Sequence, residues 1–257
     1  MACAIPSKKQ ISVAIMAARE AGRILRKSFE AKTEALSSSS RDIKTQADLD
    51  AHHTIGSILV ETGIPVMSEE STTRDVDPSK DTCWIVDPLD GTVNFFRGSR
   101  LCCTSIGYWS EGKPVYGIVY DFLAEELYSG GPDFPTTCNE LPLTVSEITQ
   151  STEAIIATGF PNARDFDDAP LVEFISQIQS FRKVRLLGSA ALSLAWLAHG
   201  KMDAYYEEDI YLWDVAAGLP LVLGAGGAIE HSGIDPESIR LSVWATSSPE
   251  LLKSFKC

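Results

Sequence analysis

The chain has 257 residues, enough for one large domain or two modest ones with a substantial core. Hydrophobic residues make up 44% and charged residues 22%, the balance of an ordinary globular enzyme. A formal net charge of −13 argues against nucleic acid and anionic membranes as partners, and any anionic ligand would need local positive charge to approach.

Cysteines stand at 3, 83, 102, 103, 138 and 257 with no Cys-x-x-Cys pair, and the one histidine pair is His52-His53. That spacing argues against zinc, and adjacent Cys102 and Cys103 with Cys83 in an apolar strand read as buried, reduced thiols in a cytoplasmic protein. Met1 to Gln10 lacks the apolar core of a secretory signal. The longest apolar stretch, Val215 to Ile229, is broken by Pro220 and several glycines and is too short to span a bilayer.

In chain order, Ile11, Ala14, Ile15, Ala18, Gly22, Leu25 and Phe29 recur at helical spacing, so Gln10 to Phe29 is expected to be an amphipathic packing helix. Ala35 to Ser40 reads as a serine-rich loop. Thr45 reads as the N-cap of a second helix bearing Ile55, Ile58 and Leu59. Pro65-Val66-Met67 is a short strand ending at Ser68-Glu69-Glu70, and Thr72 to Lys80 a polar loop. Cys83 to Val86 reads as a buried strand. Cys102 to Trp109, Pro114 to Phe122 and Glu126 to Ser129 follow as a meander, with a turn at Glu111-Gly112-Lys113-Pro114.

Glycine and proline between Gly130 and Pro135 suggest a boundary, placed near residue 140, with a new element starting at Leu141. This gives an N-terminal part, 1–140, and a C-terminal part, 141–257. Beyond it, Ala154 to Gly159, Met202 to Glu207 and Leu241 to Thr246 read as strands. Ala169 to Phe181, Ser189 to His199, Trp213 to Leu223 and Pro249 to Phe255 read as helices, with Ser248 as the last N-cap. Pro220 must kink its helix or sit where the lost hydrogen bond is tolerated. Such alternation predicts layered sheets and helices, an α/β chain with α+β character.

The most informative stretch is Trp84-Ile85-Val86-Asp87-Pro88-Leu89-Asp90-Gly91-Thr92-Val93-Asn94-Phe95. A strand delivers Asp87 and Asp90 three residues apart. Pro88 stiffens the bend between them, and Gly91 allows a sharp turn or a close approach to a ligand. Thr92 then opens a helical turn whose free N–H groups face the acids. Two carboxylates beside an anion cradle make sense if a divalent metal lies between them and a phosphate. Asp90-Gly91 by itself is equally a turn, Glu69 and Glu70 by themselves a solvated strand end, and Asp48 and Asp214 by themselves acids in the first turn of a helix.

Asp-Pro-Leu-Asp-Gly-Thr-x-Asn-Phe resembles the first signature of the inositol monophosphatase family, whose members are Mg²⁺-dependent, lithium-sensitive phosphomonoesterases. Trp213-Asp214-Val215-Ala216-Ala217-Gly218, running to Gly226-Gly227, is similar to the family's C-terminal motif. The resemblance implies a five-layered αβαβα sandwich of two sub-domains, usually dimeric, acting as one catalytic unit.

The resemblance also implies a site. Glu69, Asp87 and the Leu89 carbonyl would hold one Mg²⁺, Asp87, Asp90 and Asp214 a second, and Glu69 with water a weaker third. Mg²⁺ suits such oxygen donors, and an array of ions stabilises attacking and leaving oxygens in phosphoryl transfer. Thr92, its hydrogen held by Asp48, would orient a metal-activated water. The phosphate would lie against the Gly91 and Thr92 N–H groups. Ala190, in Gly188-Ser189-Ala190-Ala191, would back the sugar ring, and Glu207 would bind substrate hydroxyls. The family's serine after the glycine-containing strand has no counterpart in register in Gly159-Phe160-Pro161-Asn162-Ala163-Arg164.

The implied substrate is a small polyol or sugar monophosphate, foremost myo-inositol 1-phosphate. Fructose 1,6-bisphosphate and histidinol phosphate are the nearest alternatives. A 3′-phosphoadenosine 5′-phosphate phosphatase is disfavoured by Val93-Asn94, where those enzymes commonly have Lys-Glu. A catalytically idle metal- or sugar-phosphate-binding protein is the alternative of a different class.

Overall fold

The computed structural model describes residues 4–31, 35–38, 43–71, 76–160 and 168–256. The first helix, Lys8–Ala31 (α1), buries Val13, Ala14, Ala17, Ala18, Ala21 and Leu25 along one face, as its periodicity dictates. The expected loop at Ala35 is instead a strand, Ala35–Ser38 (β1), paired antiparallel with Ile43–Thr45 (β2). Its serines hide it, because a two-stranded ribbon needs no apolar face. Helix Gln46–Leu59 (α2) follows and packs beside α1. Thr45's side chain, residues 72–75 of the polar loop and residues 161–167 lie outside what is described.

The first sheet has seven strands in the order β3-β4-β5-β6-β7-β8-β9. They are Val66–Ser68 (β3), Thr82–Asp90 (β4), Cys103–Ser110 (β5), Lys113–Asp121 (β6), Glu126–Gly131 (β7), Phe134–Cys138 (β8) and Leu141–Pro142 (β9), with the short helix Thr92–Phe96 (α3) between β4 and β5. The glycine–proline stretch read as a boundary is the β7–β8 hairpin. Pro135 sits at a register shift between those strands, where a residue without an N–H does no harm. Leu141, expected to open a new element, lies in the last strand of this sheet.

The second sheet has the order β11-β10-β12-β14-β13. Its strands are Ile155–Thr158 (β10), Lys183–Arg185 (β11), Ala204–Tyr211 (β12), Ala228–His231 (β13) and Arg240–Thr246 (β14). β11 and β13 are edge strands too short to show alternation, so the sequence did not announce them. The helices here are Asp168–Ile178 (α4), Ala190–Ala198 (α5), Leu212–Val215 (α6), Gly218–Gly224 (α7) and Pro249–Leu252 (α8). The helix expected over Trp213 to Leu223 is thus two pieces broken at Ala216-Ala217. Pro220 falls third in α7, in the first turn, where backbone N–H groups have no helical acceptor anyway. Ser248 caps α8 as expected, its Oγ accepting from the Leu251 N–H at 3.1 Å.

Three apolar clusters stack these elements. Leu25, Ile55 and Leu59 of α1 and α2 pack on Trp84, Val86, Ile106 and Ile118, one face of the first sheet. Burying such aliphatic side chains contributes about 1.5–3 kcal/mol each. The opposite face, with Ile85, Trp109 and Val119, meets α5 to α7, which in turn meet Tyr205, Leu241 and Val243 of the second sheet. The far face of that sheet, with Ile156, Ala204 and Tyr206, is covered by Phe174 and Leu251 of α4 and α8. The layers therefore run αβαβα, as expected. The middle contact is very close: a Cβ on Gly117 would lie 1.9 Å from the Ala217 carbonyl oxygen. The Trp109 Nε1–H donates to the Ala216 carbonyl at 2.9 Å and fixes the α6–α7 joint on the sheet.

Candidate active site

β4 reads Thr-Cys-Trp-Ile-Val-Asp-Pro-Leu-Asp. Its pairing with β5 slips between Asp87, opposite Ser105, and Asp90, opposite Cys103. The slip inserts one extra residue at Pro88, which has no N–H for the ladder. The strand bends there, and Thr104 Oγ1 anchors the bend by donating to the Pro88 carbonyl at 3.0 Å. Asp87 Oδ1 accepts from the Leu89 N–H at 2.9 Å, which orients that carboxyl. Gly91 then turns the chain at φ 85°, where a Cβ would also lie 2.6 Å from the Leu101 carbonyl oxygen. Thr92 begins α3.

The remaining acids arrive from three other elements. Glu69 follows β3, its N–H bonded to the Val86 carbonyl at 3.1 Å. Asp214 lies in the first turn of α6. Asp48, buried in the first turn of α2, accepts the Thr92 hydroxyl at 3.1 Å. The same hydroxyl lies 2.9 Å from the Leu89 carbonyl oxygen.

The opposite wall comes from the second half. The Ser189 side chain accepts from the Leu192 N–H to cap α5 and donates to Asp90 Oδ2 at 2.6 Å. The Ala191 N–H donates to the same oxygen at 2.8 Å. Asn94 Nδ2 donates to the Leu101 and Leu187 carbonyls at 2.8 Å each, tying α3 to the segment before α5. On β12, the Tyr205 hydroxyl donates to Glu207 Oε2 at 2.7 Å.

A cavity of about 390 Å³ is lined by Glu69, Asp87, Leu89, Asp90, Gly91, Thr92, Ala190, Glu207 and Asp214. Of the residues singled out from the sequence, only Asp48 lies off this lining, behind Thr92. Ser189, Tyr205 and Asn94 also line it and were given no role in the site. Ser189 had a legible signal, a serine just before an alanine- and leucine-rich helix, and Asn94 stands in the first family signature, whereas Tyr205 had none. Thr158, Gly159 and Phe160 line the wall near which the family serine was sought, and the Thr158 hydroxyl is bonded to the Tyr206 carbonyl at 2.6 Å.

Burial and mutual repulsion dominate the electrostatics. Asp87 is held well above the usual carboxylate range, first by burial and then by the charges of Glu69, Asp90 and Asp214. Asp214 is raised in the same way, against a partial offset from Arg240. Burial pushes Asp90 up to about 6, opposed by its bonds from Ser189 and Ala191. Burial likewise pushes Glu207 up to about 7, with the Tyr205 bond opposing.

All of these side-chain donors are carboxylate oxygens, the chemistry of a hard divalent cation rather than of zinc or copper. Among the described residues, no three His, Cys, Asp or Glu groups already stand as a set that could hold a metal ion. The Glu69 carboxyl is close enough to Asp87 to favour its protonated form, by charge and by a side-chain hydrogen bond. A divalent ion would take that proton's place and relieve the repulsion, so the donor set fits such an ion in charge and chemistry.

The model of the inositol monophosphatase family matches residues 7–250. The chain belongs to the inositol monophosphatase family. It is 32% identical to inositol monophosphatase 3 of Solanum lycopersicum, over 93% of this chain and 92% of that one. It is 36% identical to the inositol-1-monophosphatase of Mesorhizobium japonicum, over 85% and 84%. A crystal structure of extragenic suppressor protein suhB from Bartonella henselae superposes with a TM-score of 0.83 at 28% identity, covering 97% of this chain and 99% of that one. The chain is thus a phosphoric monoester hydrolase of a family that uses metal ions and acts on small-molecule phosphates. Among the described residues, no helix is long and apolar enough to cross a membrane.

Proposed function

We propose that this phosphatase hydrolyses myo-inositol 1-phosphate, or a polyol monophosphate of very similar shape, with Mg²⁺. The observation that carries the reading is that acids suited to Mg²⁺ and a carboxylate suited to hydroxyls, Glu207, line one cavity. Glu69, Asp87 and the Leu89 carbonyl would hold one ion, Asp87, Asp90 and Asp214 a second, and Glu69 would contribute to a third. Bound there, Mg²⁺ neutralises the charge facing the phosphate and makes a bound water more acidic.

The chain's own groups do the rest. The Gly91 and Thr92 N–H groups receive the phosphate. The Thr92 hydroxyl, within reach of Asp48 and of the Leu89 carbonyl, would give its hydrogen to Asp48 when that carbonyl serves a cation, which would leave the Thr92 lone pairs to aim at the attacking water. Glu207, steadied by Tyr205, accepts from substrate hydroxyls, and Ala190 backs the ring. A lithium-sensitive homodimer in the cytoplasm is part of the same reading. The four described cysteines are free and buried, which suits a reducing compartment.

The test is a panel of phosphomonoesters assayed with Mg²⁺: myo-inositol 1-phosphate, fructose 1,6-bisphosphate, histidinol phosphate and 3′-phosphoadenosine 5′-phosphate. The highest kcat/KM is expected for the first. A clear preference for another member overturns the substrate, and release of phosphate from none overturns the reading.

A further inference from the structure

β12 does not run straight from Glu207 to the motif that carries Asp214. Its pairing with β14 slips between Glu207, opposite Val243, and Ile210, opposite Leu241. The extra residue is accommodated around Asp209, which takes φ 53° without being glycine. Asparagine and aspartate tolerate that region better than other side chains, but it still needs surrounding support. Glu207 stands on one side of this bulge. Ile210, Tyr211 and Asp214, which line the cavity with it, stand on the other.

The support comes from Arg240, directly opposite Tyr211 in the pairing of β12 with β14. Its Nη1 donates to the Asp209 carbonyl at 2.5 Å and to Asp209 Oδ2 at 2.9 Å. Its guanidinium carbon lies 3.8 Å from the centre of the Tyr211 ring. The Tyr211 ring also stacks on Trp213, with centroids 4.4 Å apart and planes 13° apart. The guanidinium and Trp213 thus fix the ring's orientation. The Arg240 side chain is 13% exposed, so it is held in place although the Asp209 carboxylate it grips is 45% exposed.

We propose that Arg240 is a positioning residue for substrate choice: by clamping the Asp209 bulge and the Tyr211 ring, it sets where Glu207 and Tyr211 meet the leaving alcohol. The clamp acts on the alcohol end of the cavity. The phosphate end is built on β4 and α3, which none of these contacts reaches; the Arg240 charge also acts on Asp214, an effect that Arg240→Lys keeps. Lysine cannot replace it, because an ammonium has neither the planar fork nor the stacking face.

This inference rests on the reading of Glu207 as the group that accepts substrate hydroxyls, and the experiment separates the two. Wild type, Arg240→Met, Arg240→Lys and Glu207→Gln are compared on myo-inositol 1-phosphate and p-nitrophenyl phosphate, which lacks the hydroxyls. Both Arg240 variants are expected to raise KM for the inositol ester about tenfold, and Arg240→Lys, which keeps the positive charge near Asp214, should change kcat/KM for the nitrophenyl ester by no more than about twofold. Combined with Glu207→Gln, Arg240→Lys should add little further loss on the inositol ester. Asp209→Gly, which suits the backbone but removes the carboxylate, should shift KM in the same direction by less.

Equal losses on both esters in Arg240→Lys, or additive losses with Glu207→Gln, overturn the proposal. Amide hydrogen exchange reads the clamp without any turnover. The Ile210 and Tyr211 amides should exchange at least about tenfold faster in Arg240→Met, with the β4 amides unchanged. Unchanged exchange at those two amides overturns the clamp even if wild type cleaves neither ester, an outcome that would separately remove the functional reading.

Discussion

Thr92 Oγ1 faces two acceptors at once, Asp48 Oδ1 at 3.1 Å and the Leu89 carbonyl oxygen at 2.9 Å, and has one proton to give. The two acceptors lead to different chemistry. A proton on Leu89 competes with any cation at that carbonyl, whereas a proton on Asp48 leaves Leu89 free. Thr92 and Asp48 are therefore expected to act as a unit. Thr92→Ala and Asp48→Asn should each lower kcat by about a hundredfold, and the double variant should be scarcely worse than the poorer single one. Kinetics with melting curves alongside decide it: losses confined to the thermal midpoint, and additive there, would reduce the pair to two separate structural features.

A dianionic substrate cannot approach Glu69, Asp87, Asp90 and Asp214 without cations, since like charges repel strongly in a buried site. Exhaustive chelation should abolish turnover and Mg²⁺ should restore it. Asp90→Asn and Asp214→Asn should each lose about a hundredfold or more in kcat while keeping the native circular dichroism spectrum. Turnover that persists in excess chelator would remove these carboxylates from any metal-holding role.

The raised carboxyl groups also predict how stability depends on pH. Asp90, pushed up to about 6, and Glu207, pushed up to about 7, hold their protons more tightly folded than unfolded. Their contribution is fully present below the unfolded values near pH 4 and is lost as pH rises through the folded ones. Metal-free protein should therefore melt at progressively lower temperature between about pH 5 and pH 7.5. His199 and His231, pushed down by burial, act in the opposite sense, so the informative quantity is the difference made by Mg²⁺. Saturating Mg²⁺ binds the ionised carboxylates and should raise the midpoint most at the alkaline end. A Mg²⁺ effect of equal size across the range would contradict the shifts.

Ser189 holds one oxygen of Asp90 and caps α5 with the same side chain. Ser189→Ala should destabilise the protein by about 1–3 kcal/mol through the lost cap and the lost bond to a carboxylate. It should also weaken Mg²⁺ half-saturation, while Ser189→Thr should restore both. Calorimetric melts and a Mg²⁺ titration of activity provide the check. Unchanged Mg²⁺ dependence in the alanine variant would confine Ser189 to helix capping.

What could be read from the chain alone follows the range of the interactions. The helix Lys8–Ala31 and strands β3 to β7 are written in local periodicity and turn residues, so their extents came out within a few residues. The ribbon β1–β2 and the edge strands β11 and β13 are too short or too polar for that signal. Leu141–Pro142 joined the first sheet because a partner strand, not its own pattern, decides where so short a piece goes. In the site, the acids of β4 stand together in the sequence. The contacts that orient them, Ser189 to Asp90 and Asn94 to Leu187, join residues 99 and 93 positions apart and leave no local trace. Arg240 is invisible for the same reason: a lone arginine opening a strand reads as surface until the bulge it grips is known.

Asp90 sits on the first sheet, where Cys103 Sγ donates to its Oδ2 at 3.7 Å, yet the two shorter bonds to that oxygen, from the Ser189 hydroxyl and the Ala191 N–H, come from the second half of the chain. Neither half carries a finished site. Two fragments divided in the connection between Pro142 and Ile155 should each be silent as catalysts, and turnover would appear only on their reassociation. The enzyme would then report its own assembly, and a newly made chain could not begin to draw down phosphate esters until its last third had left the ribosome and docked.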